Sequence, residues 1–310
     1  MTFPNYFNPK KSLNLFGLSE NFDFLKNLYT KENLPKVLML SGKKGSGKST
    51  LINHLMFFIF DKKNYDEKKY IFNPNSLFYN QFINDIFSNV IYLSGSDFKN
   101  IKIEDIRILK KKIFKSSISN KPRFITLDDV ELFNNNSLNA LLKIIEEPSK
   151  NNYFFLINNS SKPLLETIKS RCVEFKIILN EKISKNIINS LIDKFDISLK
   201  LDPKISKLTP GYFIKFNYIY KENNLSLDGD FLENLLILLN LYKKNKDILF
   251  IDMILFLTDS YFNKLRYNTD LSNDKIIENK RFVFESINNF FLHNLNQSAL
   301  LNNINNKINA

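Results

Sequence analysis

Three of the seven glycines in this 310-residue chain fall within six positions, in the short segment 42–49. A chain with so little glycine concentrates it where the backbone must approach another group closely. Residues 37–40, Val-Leu-Met-Leu, predict a short buried strand before this segment, and residues 48–60 predict a helix after it. A strand, a glycine-rich loop that ends in Lys48-Ser49 and a helix together indicate a phosphate-binding loop. The alternative is a flexible lysine-rich turn between the strand and the helix.

The chemistry of such a loop assigns roles to its residues. Backbone N–H groups and the N-terminus of the following helix face the phosphates, because the aligned peptide dipoles favour negative charge there. Lys48 would reach the outer phosphates, and the Ser49 hydroxyl would ligate Mg²⁺. The predicted nucleotide-binding residues are Gly42, Lys43, Lys44, Gly45, Ser46, Gly47, Lys48, Ser49 and Thr50.

The first 178 residues alternate predicted strands with predicted helices. A helical stripe after Ser19 comes first, and the looser stretch 61–89 is rich in asparagine, lysine and aromatic residues. Short apolar strands that alternate with helices predict an α/β fold with a parallel sheet covered by helices on both faces. The strands are predicted at 37–40, 90–93, 123–127, 153–157 and 173–177, and the further helices at 103–118, 137–147 and 163–170.

The remainder of the chain predicts helices alone. Its apolar runs are short and interrupted by polar residues, which favours a protein core over a membrane span. The asparagine-rich tail 302–310 is predicted to fray. The helices are predicted at 184–195, 210–222, 230–242, 247–264 and 273–295. The predicted domains are 1–178, 179–225 and 226–310.

The net charge of +12 and the isoelectric point near 9.4 suggest an anionic partner such as DNA. Codon bias in an AT-rich genome would also produce these lysines, which then form solvated faces, and composition leaves both interpretations open. The single cysteine, Cys172, excludes a disulfide framework and a four-cysteine zinc site, and it is interpreted as a small buried apolar residue. The lack of a secretion signal or an apolar window of about 18 residues predicts a cytoplasmic protein.

A second motif follows the predicted strand 123–127, which ends in Asp128 and Asp129. In a protein with a phosphate-binding loop, an acidic residue at the end of a neighbouring strand supports Mg²⁺, and Asp128 occupies that position. A second carboxylate, commonly glutamate, orients the attacking water in such ATPases. Asp129 takes its place with one methylene fewer, so it is a weak candidate for this role, and displacement by about 1 Å can cost on the order of a hundredfold in rate.

Three motifs together resemble the bacterial clamp-loader ATPases of the AAA+ class. They are Leu-Asp-Asp-Val-Glu-Leu-Phe at 127–133, Leu-Asn-Ala-Leu-Leu-Lys-Ile-Ile-Glu-Glu-Pro at 138–148 and Thr-Ile-Lys-Ser-Arg-Cys at 167–172. The resemblance covers residues 13–178 firmly and the helical remainder by architecture. It implies a P-loop AAA+ domain, a small helical lid and an all-α collar that assembles a hetero-oligomeric ring. It also implies ATP and Mg²⁺ as cofactors, and as partners the tau/gamma and delta loader subunits, the sliding clamp and primer–template DNA.

The resemblance implies further site residues. Arg171 is similar to the arginine finger that a loader subunit projects into its neighbour's nucleotide site. Asn158 or Asn159 matches the polar position that senses the outer phosphate, and the motif does not distinguish between them. Thr-Pro-Gly at 209–211 resembles the start of the second sensor segment, where Tyr212 replaces the arginine of active ATPases and Lys215 follows nearby.

Two departures from the family pattern shape the functional prediction. Many relatives carry a four-cysteine zinc module that this chain lacks, so no zinc is predicted and the aromatic segment 65–87 replaces the module or the module is absent. Asp129 and Tyr212 replace residues that active ATPases use for hydrolysis, whereas the arginine of the finger motif is present as Arg171. These features favour a stator subunit that binds ATP and completes a neighbour's site. The alternative is a motor subunit that hydrolyses ATP itself, of the tau/gamma type or in another DNA process.

Overall fold

The structure is a computed structural model that describes residues 4–95, 101, 103–114, 121–203, 206–268 and 272–309. The chain divides into two compact units. The first is built from residues up to 198 together with 203–215, and the second from 199–202 together with 216–310. The three predicted domains, with boundaries at 178 and 225, stay a prediction.

A parallel sheet forms the centre of the first unit. Its outer edge strands are β4 and β7, and its order is β4-β5-β6-β1-β7, while β2 and β3 form a separate antiparallel hairpin. The five sheet strands that the sequence predicts are confirmed, and so is the α/β fold with its parallel sheet. In chain order the strands are β1 (Val37–Ser41), β2 (Tyr65–Asp66), β3 (Ile71–Phe72), β4 (Val90–Ser94), β5 (Arg123–Asp128), β6 (Asn152–Asn158) and β7 (Val173–Lys176).

Several helices of the first unit begin at a polar side chain that caps them. Asn134 accepts a 2.8 Å hydrogen bond from the Ser137 N–H at the start of α5, and Asn180 accepts one of 2.8 Å from the Ile183 N–H at the start of α7. The predicted helix 103–118 is α4 as far as residue 114, and its last residues lie outside the described chain. The helices are α1 (Ser19–Thr30), α2 (Lys48–Phe60), α3 (Leu77–Ile83), α4 (Ile103–Phe114), α5 (Asn135–Ile145), α6 (Glu166–Lys169), α7 (Glu181–Phe195) and α8 (Pro210–Glu222), of which α8 belongs to this unit only as far as residue 215.

The alternation of side chains along the strands divides the core between the two faces of the sheet. In β1, Leu38 and Leu40 pack with α1, α2 and α3, whereas Val37 and Met39 pack with α4, α5 and α6. Strand side chains point to opposite faces in turn, so a strand that is apolar throughout needs cover on both sides. The central strands β1, β5 and β6 are therefore buried on both faces, and their polar groups become accessible at the strand ends.

The aromatic stretch that had no clear pattern in the sequence is part of the core. Phe72 of β3 stacks on Phe57 of α2 with ring centroids 4.5 Å apart, and Phe78 and Phe82 of α3 pack around the same ring. Ser76 caps α3 by accepting a 3.0 Å hydrogen bond from the Tyr79 N–H. Among the described residues, no group of three or more His, Cys, Asp and Glu side chains is placed to hold a metal ion.

The second unit is entirely helical in its described part. Its core contains Leu235, Phe250, Val283 and Ile304, all fully buried. The prediction that residues 302–310 fray is wrong for 302–309, because they belong to a helix in which Leu300 and Ile304 lie on one buried face, and residue 310 lies outside the described residues. No described helix is long and apolar enough to cross a membrane. Beyond the end of α8, the helices are α9 (Phe231–Asn245), α10 (Ile248–Asn268), α11 (Asn273–His293) and α12 (Gln297–Asn309).

Candidate nucleotide-binding site

The carboxyl ends of four sheet strands meet at one edge of the first unit. Ser41 of β1 pairs in register with Asn158 of β6, and Ser94 of β4 pairs with Asp128 of β5. A cleft of about 320 Å³ opens at this edge. Parallel sheets bind ligands at the carboxyl ends of their strands, because the loops that follow are free of sheet pairing. The cleft is lined in part by residues 44–50, Tyr92, Asp128, Asp129, Asn159, Tyr212 and Lys215.

The glycine-rich loop between β1 and α2 has the conformation that its composition predicts. Gly45 and Gly47 have φ angles of +80° and +89°, in the left-handed region that side chains disfavour. A Cβ atom on Gly45 would lie 2.5 Å from Thr209 Oγ1. The Gly45 carbonyl accepts a 2.9 Å hydrogen bond from the Gly211 N–H, so the loop lies directly against the start of α8.

Lys48, at the first position of α2, is a buried cation held by the loop. Its side chain is 3% exposed, and its Nζ donates to the carbonyl oxygens of Gly42 at 2.6 Å and Lys43 at 2.8 Å. Burial lowers the pKa of Lys48 to about 8, and the nearby carboxylates of Asp128, Glu131 and Asp129 oppose this shift. A buried ammonium beside helix N–H groups favours an anion in the cleft.

Ser49 and Asp128 form the polar pair that the sequence predicts for Mg²⁺. Ser49 Oγ donates a 2.9 Å hydrogen bond to Asp128 Oδ2, and the Tyr92 hydroxyl donates to the same oxygen at 2.7 Å. The Asp129 N–H donates to Asp128 Oδ1 at 2.9 Å. Asp128 is thus fixed from three sides, and Tyr92 is a member of this group that the motif did not reveal.

Asp129, the weak candidate for orienting water, is nearly fully buried and lies in the left-handed region with φ of +50°. The Asn159 side-chain amide donates a 2.7 Å hydrogen bond to Asp129 Oδ1. Lys44 Nζ lies 3.0 Å from the same oxygen, so the carboxylate is ion-paired with the loop. The sequence indicated neither of these contacts.

The two asparagines at the end of β6 have different positions. Asn158 Oδ1 accepts a 2.9 Å hydrogen bond from the Ser160 N–H, which makes it a local turn former. Asn159 lines the cleft and contacts Asp129. Of the two candidates for a phosphate sensor, Asn159 is therefore the one that reaches the cleft.

Glu131 joins the acidic segment to the end of β6. It is buried, and its Oε1 accepts hydrogen bonds of 3.1 Å from the Asn159 N–H and 2.8 Å from Ser161 Oγ. The motif 127–133 contains Glu131 but assigns it no role, and the one signal of a role in the sequence is its position four residues after Leu127, the last apolar residue of the strand. It positions the backbone that carries Asn159.

Arg171 lies apart from this cleft. It follows α6 at the surface, and its Nε donates to Glu146 Oε1 at 2.8 Å while an Nη donates to the Thr167 carbonyl at 2.9 Å. It is not among the described residues that line the cleft. Burial raises the pKa of the neighbouring Cys172 thiol to about 12, so this thiol stays protonated at neutral pH.

The comparison with protein families matches the part of the chain that forms this site. The family described as DNA polymerase III, delta subunit, matches residues 17–181, which is more than half of the chain. The chain belongs to the DNA polymerase III delta-subunit family. The match includes the glycine-rich loop, the acidic strand and Arg171, which confirms the resemblance to the bacterial clamp-loader class drawn from these motifs.

Curated relatives of this delta-family chain are named as subunits of the same polymerase. It is 32% identical over 199 residues to the DNA polymerase III subunit delta' of Buchnera aphidicola subsp. Schizaphis graminum, with 62% of this chain and 61% of that protein covered. It is also 35% identical over 118 residues to the gamma subunit of Buchnera aphidicola subsp. Acyrthosiphon pisum, with 36% and 32% covered. The delta-family chain thus spans about three fifths of the length of the delta' relative.

Among solved structures, a DNA polymerase III gamma subunit-related protein from Thermotoga maritima aligns with 91% of this delta-family chain and 96% of its own, at 18% identity and a TM-score of 0.49.

Proposed function

We propose that this chain is a delta-prime-type subunit of the DNA polymerase III clamp loader, which helps to load the sliding clamp onto primed DNA in the cytoplasm. In this role it binds ATP and Mg²⁺ in its cleft and supplies Arg171 to the site of a neighbouring subunit. One observation carries the proposal: Lys48, Ser49 and Asp128 line or border one cleft, whereas Arg171 lies at the surface outside it. An arginine so placed cannot serve its own chain's nucleotide.

The residues of the cleft fit ATP with Mg²⁺. Lys48 presents a buried positive charge and α2 presents its N-terminus, which together suit the phosphates of a nucleotide. Mg²⁺ prefers oxygen ligands, and the Ser49 hydroxyl keeps two lone pairs available while it donates to Asp128. When bound, Mg²⁺ neutralises charge on the outer phosphates. Apolar side chains of the N-terminal segment, among them Leu15, Phe16 and Leu18, line the remainder of the cleft and suit the flat face of a base.

The orientation and exposure of the Arg171 side chain suit contact with another chain. Its guanidinium is held in one orientation by Glu146 and the Thr167 carbonyl, and it remains about a third exposed. A guanidinium that enters a neighbour's site stabilises charge on the transferring phosphoryl group and contributes about 10³ to 10⁵ in rate. In the assembled ring, the ion pair between Arg171 and Glu146 would break, and Arg171 would contact the neighbour's nucleotide instead.

The site of the chain itself is suited to holding nucleotide more than to hydrolysing it. Asp129 is shorter than the glutamate of active relatives and already engaged by Asn159 and Lys44. Tyr212 stands in the cleft where active ATPases have an arginine. The second candidate function is a hydrolysing tau/gamma-type motor, and the complete glycine-rich loop favours it.

ATP binding and turnover by the purified chain test the proposal. We expect equilibrium binding of ATP that requires Mg²⁺ and is lost in Lys48→Ala, together with negligible turnover. The matched control is Lys36→Ala, which removes a lysine that contacts the Lys150 carbonyl away from the cleft. Co-purification with tau/gamma and delta subunits tests membership of the loader. A chain that binds no ATP contradicts the nucleotide role, and turnover of order 1 s⁻¹, within the range of working enzymes, supports the motor instead.

A further inference from the structure

Lys44 and Asp129 form an ion pair inside the proposed nucleotide site. Lys44 Nζ lies 3.0 Å from one carboxylate oxygen of Asp129 and 3.3 Å from the other. The Asp129 side chain is 4% exposed and the Lys44 side chain 32% exposed. An ion pair with one nearly buried partner is screened by water less than a surface pair, so this one is stronger than most.

The carboxylate of Asp129 is also held from a second direction. Asn159 at the end of β6 donates its side-chain amide to Asp129 Oδ1 at 2.7 Å. A carboxylate offers about four lone-pair positions to donors. Asn159 and Lys44 occupy positions that a water molecule would otherwise use.

The loop presents Lys44 to Asp129 from a fixed position. Thr209 Oγ1 donates a 2.6 Å hydrogen bond to the Lys44 carbonyl, and the Gly211 N–H donates to the Gly45 carbonyl at 2.9 Å. These two contacts fasten the loop to the first residues of α8. The backbone that carries the Lys44 side chain is therefore fixed at its own carbonyl and at the next one, while its ammonium contacts the carboxylate.

We propose that Lys44 is a positioning residue that restrains Asp129 and keeps bound ATP from being hydrolysed. The inference rests on the proposed function, because it concerns the same site. In hydrolysis the oxygen of a water molecule forms a bond to the γ-phosphorus, and the bond from that phosphorus to its bridging oxygen breaks. The bridging oxygen keeps the electron pair and leaves on ADP, while the proton of the water passes to the carboxylate of Asp129 and then to solvent. Lys44 prevents Asp129 from accepting a hydrogen bond, and then the proton, from this water molecule.

Removal of the charge of Lys44 tests this restraint. We expect Lys44→Met, which keeps the length of the side chain, to raise the single-turnover rate at saturating Mg²⁺ and ATP by about tenfold or more, since a general base contributes about 10² to 10⁴. Lys44→Gln, which keeps a donor without the charge, should also raise the rate. Lys44→Arg, which keeps the positive charge, should raise the rate less than Lys44→Met does. Binding of a fluorescent ATP analogue is measured separately for every variant.

Two further variants separate a restraint from a general loosening of the loop. The gain in Lys44→Met should disappear when Asp129→Asn is added, because the gain passes through Asp129. Lys26→Met, which removes the 2.8 Å ion pair of Lys26 with Asp23 outside the cleft, should not change the rate.

The outcomes distinguish this inference from the proposed function. If the variants bind ATP and none turns over faster than the unaltered chain, the restraint is overturned and the proposed function stands. A gain that persists with Asp129→Asn also overturns it. If the unaltered chain binds no ATP, the proposed nucleotide role fails, and the restraint fails with it.

Discussion

Tyr92 donates its hydroxyl to Asp128 Oδ2 across 2.7 Å. The same oxygen accepts the hydroxyl of Ser49 at 2.9 Å. Tyr92 belongs to β4, which pairs with β5 in parallel register, so the neighbouring strand supplies a second anchor for the carboxylate. A carboxylate fixed by two hydroxyl groups presents its remaining lone pairs in set directions, which suits a cation with strict geometry such as Mg²⁺.

The first prediction concerns this anchor. Tyr92→Phe removes one hydrogen bond to a charged group, which contributes about 1.5 to 3 kcal/mol. Only part of that free energy contributes to orienting Asp128 for the ion. We therefore expect the affinity for Mg²⁺, measured through ATP binding, to fall about tenfold, which corresponds to about 1.4 kcal/mol. A titration of ATP binding with Mg²⁺ measures the change. Tyr70→Phe is the matched control, since it removes a 2.7 Å bond from a tyrosine hydroxyl to Asp23. Equal Mg²⁺ affinity in both variants would contradict the role of Tyr92.

The second prediction is that protonation of His54 makes the stability of the fold depend on pH. This side chain is fully buried, with Nδ1 3.0 Å from the Tyr65 hydroxyl and Nε2 3.0 Å from the Ser12 carbonyl. Burial lowers the pKa of His54 from 6.5 to about 4. Between these two values the unfolded chain binds the proton and the folded chain does not, so the free energy of unfolding falls as the pH falls through this window.

Urea unfolding at pH 7 and at pH 5 measures the contribution of His54. We expect it to account for a loss of about 2 kcal/mol over this interval, at about 1.36 kcal/mol per pKa unit. The unaltered chain is compared with His54→Gln, which cannot take up the proton, because the remaining ionisable groups are the same in both proteins. If the loss is the same in His54→Gln and in the unaltered chain, His54 is not its source.

The third prediction is that aromatic packing, without zinc, stabilises the segment 61–89. Phe72 is fully buried and stacks on Phe57, so we expect Phe72→Ala to lower the free energy of unfolding by about 3 to 5 kcal/mol. A strong zinc chelator should leave the thermal midpoint of the unaltered chain unchanged. Phe24→Ala is the control, because that side chain is half exposed and should cost much less. A fall in the midpoint with the chelator would contradict the prediction of no zinc.

The centre of the sheet could be predicted from the sequence because its strands are apolar on both faces. Runs such as 37–40 and 153–157 are short, continuous and bounded by polar residues, which is the pattern of a strand inside a parallel sheet. The edge strand β7 differs, because apolar and charged residues alternate in it. The segment 61–89 could not be predicted in the same way. Its strands β2 and β3 have two residues each, too few to show a period, and its fold depends on aromatic contacts with α2 that are distant in sequence.

The residues of the candidate site could be predicted where a local sequence motif assigns the role. The positions of Lys48, Ser49 and Asp128 follow from the glycine-rich loop and the acidic strand. The contacts of Tyr92 with Asp128 and of Lys44 with Asp129 depend on how strand ends meet in space, and no spacing along the chain encodes them. The helix at the end of the chain was not predicted, because its many asparagines indicate a frayed tail. Its apolar residues Leu300 and Ile304 lie four residues apart on one helical face.

The role of Arg171 in a neighbouring site is the central claim, and a reconstituted loader tests it most directly. Arg171→Ala is compared with the unaltered chain for assembly, DNA-stimulated ATP hydrolysis and clamp loading. Arg281→Ala is the matched control, because it removes another exposed arginine that is paired with a glutamate, Glu285, at 2.9 Å. We expect assembly to persist in both variants and clamp loading to fall at least about tenfold in Arg171→Ala alone, since such fingers contribute about 10³ to 10⁵ in rate at the site they complete. Unchanged hydrolysis and loading with Arg171→Ala would contradict the claim.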